Sequence, residues 1–148
     1  MKIKVAWIGK TKDPSIQALA GEYLKRLSRF AETEGLALRD EAALLQLAAR
    51  GGPSHSKLTL VLLDARGKQL SSEELARFLG EYESRSSAPL LFAVGPADGF
   101  SEEARKSASL VLSLGKMTLA HELARVVLLE QLYRGYTILK GHPYHLGH

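Results

Sequence analysis

Cysteine is absent from all 148 residues, which excludes disulfides, thiolate metal sites and cysteine nucleophiles and is compatible with a reducing compartment. No apolar run approaches the roughly 18 residues of a membrane span, so no membrane partner is expected. The opening Met1-Lys2-Ile3-Lys4 leads into a strand-like segment rather than a secretory signal, and a cytoplasmic location is the expectation. Internal repeats and low-complexity tracts are missing. Three catalytic or nucleotide motifs are missing too. Gly115-Lys116 is followed by Met117 where a P-loop needs Ser or Thr, and Leu110 stands at its first glycine position. No strand runs into G-x-G-x-x-G, and G-x-S-x-G does not occur, so ordinary NTPase, dehydrogenase and serine hydrolase chemistry lack support.

What is present is 45% hydrophobic residues in a length suited to one domain, residues 1–148, with no room for a separate binding module. The net charge of +4 and pI near 9.4 tilt mildly towards polyanionic partners. Ile3–Ile8 and Leu58–Leu63 are continuous apolar runs, as strands buried on both faces are, and Pro89–Val94 and Leu110–Leu114 repeat the pattern. Leu36–Arg39 is a weaker strand. Between them lie helical signals: Asp13-Pro14 as cap and first residue of a helix with an apolar stripe from Ile16 to Phe30, an Ala/Leu-rich helix at Glu41–Arg50, a capping box at Ser71–Glu74, and a short helix from Ser101. Gly51-Gly52-Pro53 reads as a flexible loop and Ala65–Gln69 as a polar one. Strands alternating with helices predict an α/β fold, a parallel sheet with helices on both faces.

In such sheets ligands bind beyond the carboxyl ends of strands. Three loops fall there, after Leu63, Val94 and Leu114, each beside glycine or polar residues that let a ligand approach the backbone, or that merely permit tight turns. A long helix is predicted from about Leu119 to Tyr136, capped by Thr118 and apolar on more than one face, hence covered by its sheet and by a second subunit. His121 and Arg125 share one face of it and fit a structural hydrogen-bond network. Lys25, Arg26 and Arg29 form a basic helix face, either solvated or facing RNA phosphates. His142, His145 and His148 have a suggestive spacing, but Pro143 interrupts them and no acidic or thiolate partner is near, so no metal is expected. His145, beside Tyr144 and across from Arg134, is the better candidate for substrate orientation or catalysis.

The run from Ser113 to Arg125 (SLGKMTLAHELAR), then Leu129–Arg134 (LEQLYR) and Gly141–His145 (GHPYH), resembles the C-terminal signature of the RlmH family, the large-subunit pseudouridine N3-methyltransferases of the SPOUT superfamily. Weaker likeness spans nearly the whole chain, through Val5–Lys10, Tyr23–Arg26, Leu63-Asp64, Gly67-Lys68, Ser71–Glu73 and Gly95–Gly99. The resemblance implies a homodimer with a C-terminal trefoil knot, which pattern reading alone would have excluded. It implies S-adenosylmethionine as methyl donor, held by Leu63, Gly95, Leu114, Gly115, Lys116, Met117, Thr118 and Leu119, the same three loops. Its implied substrate is a pseudouridine in the bridge hairpin (helix 69) of 23S rRNA on the assembled ribosome, with Arg134, Tyr144 and His145 in catalysis. Pro96 and Ala120 depart from the family pattern of glycine and proline. Two other readings share these features: a SPOUT methyltransferase with another RNA target, and a ribosome-binding factor without catalysis.

Overall fold

A computed structural model describes residues 1–50 and 58–146. Alternate residues of the first strand, β1 (Lys2–Ile8), feed two separate apolar layers, Ile3, Val5 and Trp7 on one side and Ala6 on the other. That is what a continuous apolar run does at a two-residue side-chain period. The chain continues through α1 (Pro14–Leu27), β2 (Glu32–Leu38), α2 (Glu41–Arg50), β3 (Thr59–Gln69), α3 (Ser72–Arg85), β4 (Leu90–Val94), α4 (Glu102–Ser107), β5 (Leu110–Ser113) and α5 (His121–Leu139). The five strands pair in parallel in the order β2-β1-β4-β3-β5. Helices α1, α3 and α5 cover one face, and α2 and α4 the other, as the alternation of elements predicts.

The helix starts follow their sequence signals. Asp13 accepts from Ser15 N–H ahead of Pro14, and Ser71 and Glu74 complete a reciprocal capping box. Gly51-Gly52-Pro53 and His148 lie outside the described residues.

Three boundaries differ from expectation. β2 begins at Glu32, because it pairs with β1 from Lys2 onwards, and as an edge strand it carries polar, exposed residues that give no apolar signal. Helix α5 begins at His121 behind Ala120, which makes no side-chain capping bond, so Thr118 is not its cap. Residues Ala65–Gln69 continue β3 rather than forming a loop. They bulge away from β5 after Leu63 and re-pair at Lys68 and Gln69, so that both Leu63 and Lys68 stand opposite Leu112. Gly67 makes the bulge feasible: a Cβ there would lie 2.6–2.7 Å from the backbone of Val111 and Leu112.

Candidate active site

The carboxyl ends of β3, β4 and β5 open into a cavity of about 520 Å³, within the range of small-molecule sites. Its walls are Leu63–Arg66, Val94–Gly99, Ser113–Gly115 and Met117–Leu119, closed by His121 and Ala124 from the first turn of α5. Of the expected cofactor residues, Leu63, Gly95, Leu114, Gly115, Met117, Thr118 and Leu119 line it, whereas Lys116 is exposed and does not. The lining mixes apolar side chains such as Leu63, Val94 and Leu114 with polar ones such as Asp64, Arg66 and His121 and with loop backbone, suited to a ligand that has both an apolar ring and polar groups.

Asp64 organises the wall, a role that sequence reading missed. Its carboxylate accepts from Arg66 Nε (3.0 Å) and Nη2 (3.2 Å), from Arg66 N–H (2.9 Å) and from Phe100 N–H (3.2 Å). Burial alone would raise its carboxyl pKa, but the hydrogen bonds from the Arg66 side chain, Arg66 N–H and Phe100 N–H prevail and hold it at about 2. Arg66 also donates to Phe100 C=O, so the pair ties the β3 bulge to the β4–α4 turn. Gly99 takes φ +83° there, and a Cβ on it would press to 3.1 Å from the Asp64 carboxylate. A single acidic residue directly after an apolar strand was the available signal.

Arg125 is buried to 1% exposure in the network its spacing predicts, donating to Ile8 C=O (2.9 Å) and Thr11 Oγ1 (2.7 Å) and lying 5.7 Å from the Trp7 ring. Burial lowers its pKa. One turn earlier, Glu122 accepts from Lys12 and Asp13 N–H. Together they fasten the start of α5 to the β1–α1 loop, while His121 turns to the cavity instead.

Arg134, Tyr144 and His145 do come together, at Arg134, which stands about 15 Å further along α5 than Ala124, ten residues at 1.5 Å each. Arg134 Nη1 lies 2.9 Å from His145 Nδ1, its guanidinium stacks 4.9 Å from the Tyr144 ring centre, and Glu130 receives it at Nε and Nη2. The Tyr144 hydroxyl donates to Glu130 (2.8 Å) and lies 3.4 Å from that of Tyr23, and its ring packs edge-on against Tyr133. Burial and these contacts raise the Tyr144 pKa, so it stays a phenol and a donor at neutral pH. Burial opposes ionisation of Glu130, but Arg134 and Tyr144 outweigh it and lower the pKa, and Glu130 in turn raises that of Arg134. The Glu130–Arg134 spacing of four residues was the overlooked signal. None of the three candidates lines the cavity of its own chain.

The site is thus a cavity at the carboxyl ends of a parallel α/β sheet, built from these three loops. A family model described as predicted SPOUT methyltransferase matches residues 1–145. Similar solved structures include a probable methyltransferase from Bordetella pertussis (TM-score 0.60, 10% identity, 91% of this chain and 94% of that one). Another is the SpoU methyltransferase AviRb from Streptomyces viridochromogenes in complex with AdoMet (TM-score 0.50, 12% identity, 90% and 57%). At these identities the likeness concerns the fold. Among curated proteins, ribosomal RNA large subunit methyltransferase H of Koribacter versatilis is 63% identical over all of both chains, and that of Geotalea daltonii 43% identical over 98% and 99%. The chain belongs to the RlmH family of SPOUT methyltransferases.

Proposed function

We propose that this chain is a cytoplasmic homodimer that transfers the methyl group of S-adenosylmethionine to N3 of a pseudouridine in helix 69 of 23S rRNA, on the assembled ribosome. The observation that carries the reading is the cavity at the ends of β3, β4 and β5, lined by most of the residues that the family resemblance assigns to the methyl donor. Its apolar side chains suit an adenine ring and its loop backbone suits polar groups, so a nucleoside joined to an amino acid fits, and no metal is needed. Relatives named for methylation of large-subunit rRNA support the substrate class. In this reading the β5–α5 connection is the threaded part of a trefoil knot.

Bound S-adenosylmethionine supplies an electrophilic methyl group. The protein must place N3 of the base in line with it and accommodate loss of the N3 proton, with negative charge spreading to the flanking carbonyls. Arg134 is the group for that charge, a permanent cation already held flat by Glu130 and Tyr144. Tyr144 is a donor and places the base. His145 Nδ1 faces the Arg134 guanidinium, so it becomes a proton acceptor only when Arg134 turns to the substrate.

Because none of these residues lines the cavity of its own chain, and Arg134 stands about 15 Å further along α5 than Ala124 of the cavity wall, the cavity of one subunit works with Arg134, Tyr144 and His145 of the other. Exposed Met117, Leu119 and Leu123, at and just beyond the cavity loop, supply an apolar surface for that contact. In this reading the domain relies on the folded ribosome for recognition, so naked rRNA is a poor substrate.

Calorimetric titration with S-adenosylmethionine, beside a Gly115→Trp variant, tests the cavity. Saturable binding that the variant loses is expected. Mapping the methylated nucleotide on treated ribosomes tests the target, and methylation elsewhere would assign the chain a different RNA.

A further inference from the structure

We infer that Glu73 is a positioning residue that fixes His145 in its Nε2-protonated tautomer and thereby turns the Nδ1 lone pair towards Arg134. The inference rests on the reading of Arg134 and His145 as parts of the methyl-transfer site.

The geometry admits one neutral form of the ring. Arg134 Nη1 stands 2.9 Å from Nδ1, and a guanidinium only donates, so Nδ1 presents its lone pair. On the far side of the ring Nε2 stands 2.9 Å from Glu73 Oε1, and an ionised carboxylate only accepts, so Nε2 carries the hydrogen. The opposite tautomer would set an N–H against the guanidinium and a lone pair against the carboxylate, losing both bonds. Arg134, His145 and Glu73 thus form a directed chain of donors running from α5 through the C-terminal segment to the first turn of α3. Each link is oriented by the next, as a carboxylate orients a functional imidazole elsewhere.

Glu74 completes the capping box with Ser71, and Glu73, through its carboxylate, meets its own backbone N–H and Ser71 at the helix start as well as His145. Its side chain is 59% exposed, and its charge reaches beyond its own helix to His145. The neighbouring Ser72 hydroxyl donates to Gln131 on α5, so the two helices are locked in register where the chain of donors crosses between them.

The test uses nitrogen-15 NMR of the histidine side chains in the full-length protein, with a His145→Gln variant to assign the signals. It compares wild type, Glu73→Ala and Glu73→Gln, and measures kcat and KM for ribosome methylation and thermal melting of each. Wild type is expected to show neutral His145 as a single Nε2–H tautomer. Glu73→Ala should show both tautomers and about a tenfold lower kcat, at unchanged KM for S-adenosylmethionine. Glu73→Gln keeps a carbonyl acceptor and should restore the tautomer and most of the rate. A merely structural role would lower the melting temperature and leave the tautomer alone. The inference is overturned if wild-type His145 carries its hydrogen on Nδ1, if Glu73→Ala leaves the tautomer unchanged, or if the tautomer changes and kcat does not. Full methylation rates in both Arg134→Ala and His145→Gln would instead overturn the underlying reading, whatever the tautomer.

Discussion

Arg134 and Glu130 meet fork to fork one turn apart on α5, with Nη2 2.9 Å and Nε 3.3 Å from the two carboxylate oxygens, and the guanidinium so held lies flat against Tyr144. This planar arrangement is available to arginine alone. Arg134→Lys is therefore expected to lower the methylation rate at saturating ribosome about a hundredfold, on the scale of losing one charge-stabilising donor. Stability should fall by about 2 kcal/mol or less, since lysine keeps the charge beside Glu130 but loses the fork in a pair only 17% and 19% exposed. A lysine variant at full rate would remove Arg134 from the chemistry.

The bulge in β3 is the feature most sensitive to one methyl group. Gly67→Ala places a Cβ within 2.7 Å of β5 backbone, which cannot yield as a side-chain end would. The expected loss is about 2 kcal/mol or more by denaturant titration, together with weaker S-adenosylmethionine binding, because the bulge carries one cavity wall.

Asp64 gives the cavity wall a defined acid dependence. Its folded-state pKa of about 2 lies below the ordinary value of 3.8, so the stabilisation is complete above that ordinary value and disappears as pH falls through the folded one. At neutral pH it amounts to about 2 kcal/mol. Asp64→Asn should lose that amount near neutrality, and the gap between its stability and that of wild type should shrink between pH 4 and pH 2. A gap independent of pH across that window would show that the carboxylate charge is not what holds Arg66.

Much of this was legible from the chain because its strands are buried on both faces. Continuous apolar runs at Val5–Ile8, Leu58–Leu63 and Pro89–Val94 leave little doubt of a parallel sheet, and the loops at their ends mark the cavity. The continuation of β3 was hidden because Asp64, Arg66 and Lys68 are polar, and their pairing with β5 is decided by a partner more than forty residues away. Edge strand β2 was half hidden for a related reason, having only one neighbour to bury it. Clustering of Arg134 with Tyr144 and His145 followed from the sequence. Their distance from the cavity did not, because α5 carries both His121 and Arg134, and only its straight run along the sheet separates them.

The backbone of Ala120 takes φ −56°, inside the range a proline ring imposes, at the position where the family resemblance implies proline. Ala120→Pro should raise stability by about 0.5 kcal/mol by restricting the unfolded chain, seen as a small rise in melting temperature, with S-adenosylmethionine binding retained. A destabilised variant would mean that the entry to α5 differs from the one described.

Mixed dimers test the proposed two-subunit site most directly. Gly115→Trp disables the cavity but leaves Arg134, and Arg134→Ala does the reverse, so each homodimer should be inactive on ribosomes. When the two are unfolded, mixed in equal amounts and refolded, half the dimers contain one chain of each kind. If the cavity of one subunit serves with Arg134 of the other, every such dimer regains one intact site, and activity returns to about a quarter of wild type. Mixtures that exchange subunits yet stay inactive would contradict the account, placing cavity and Arg134 of the same chain in each site.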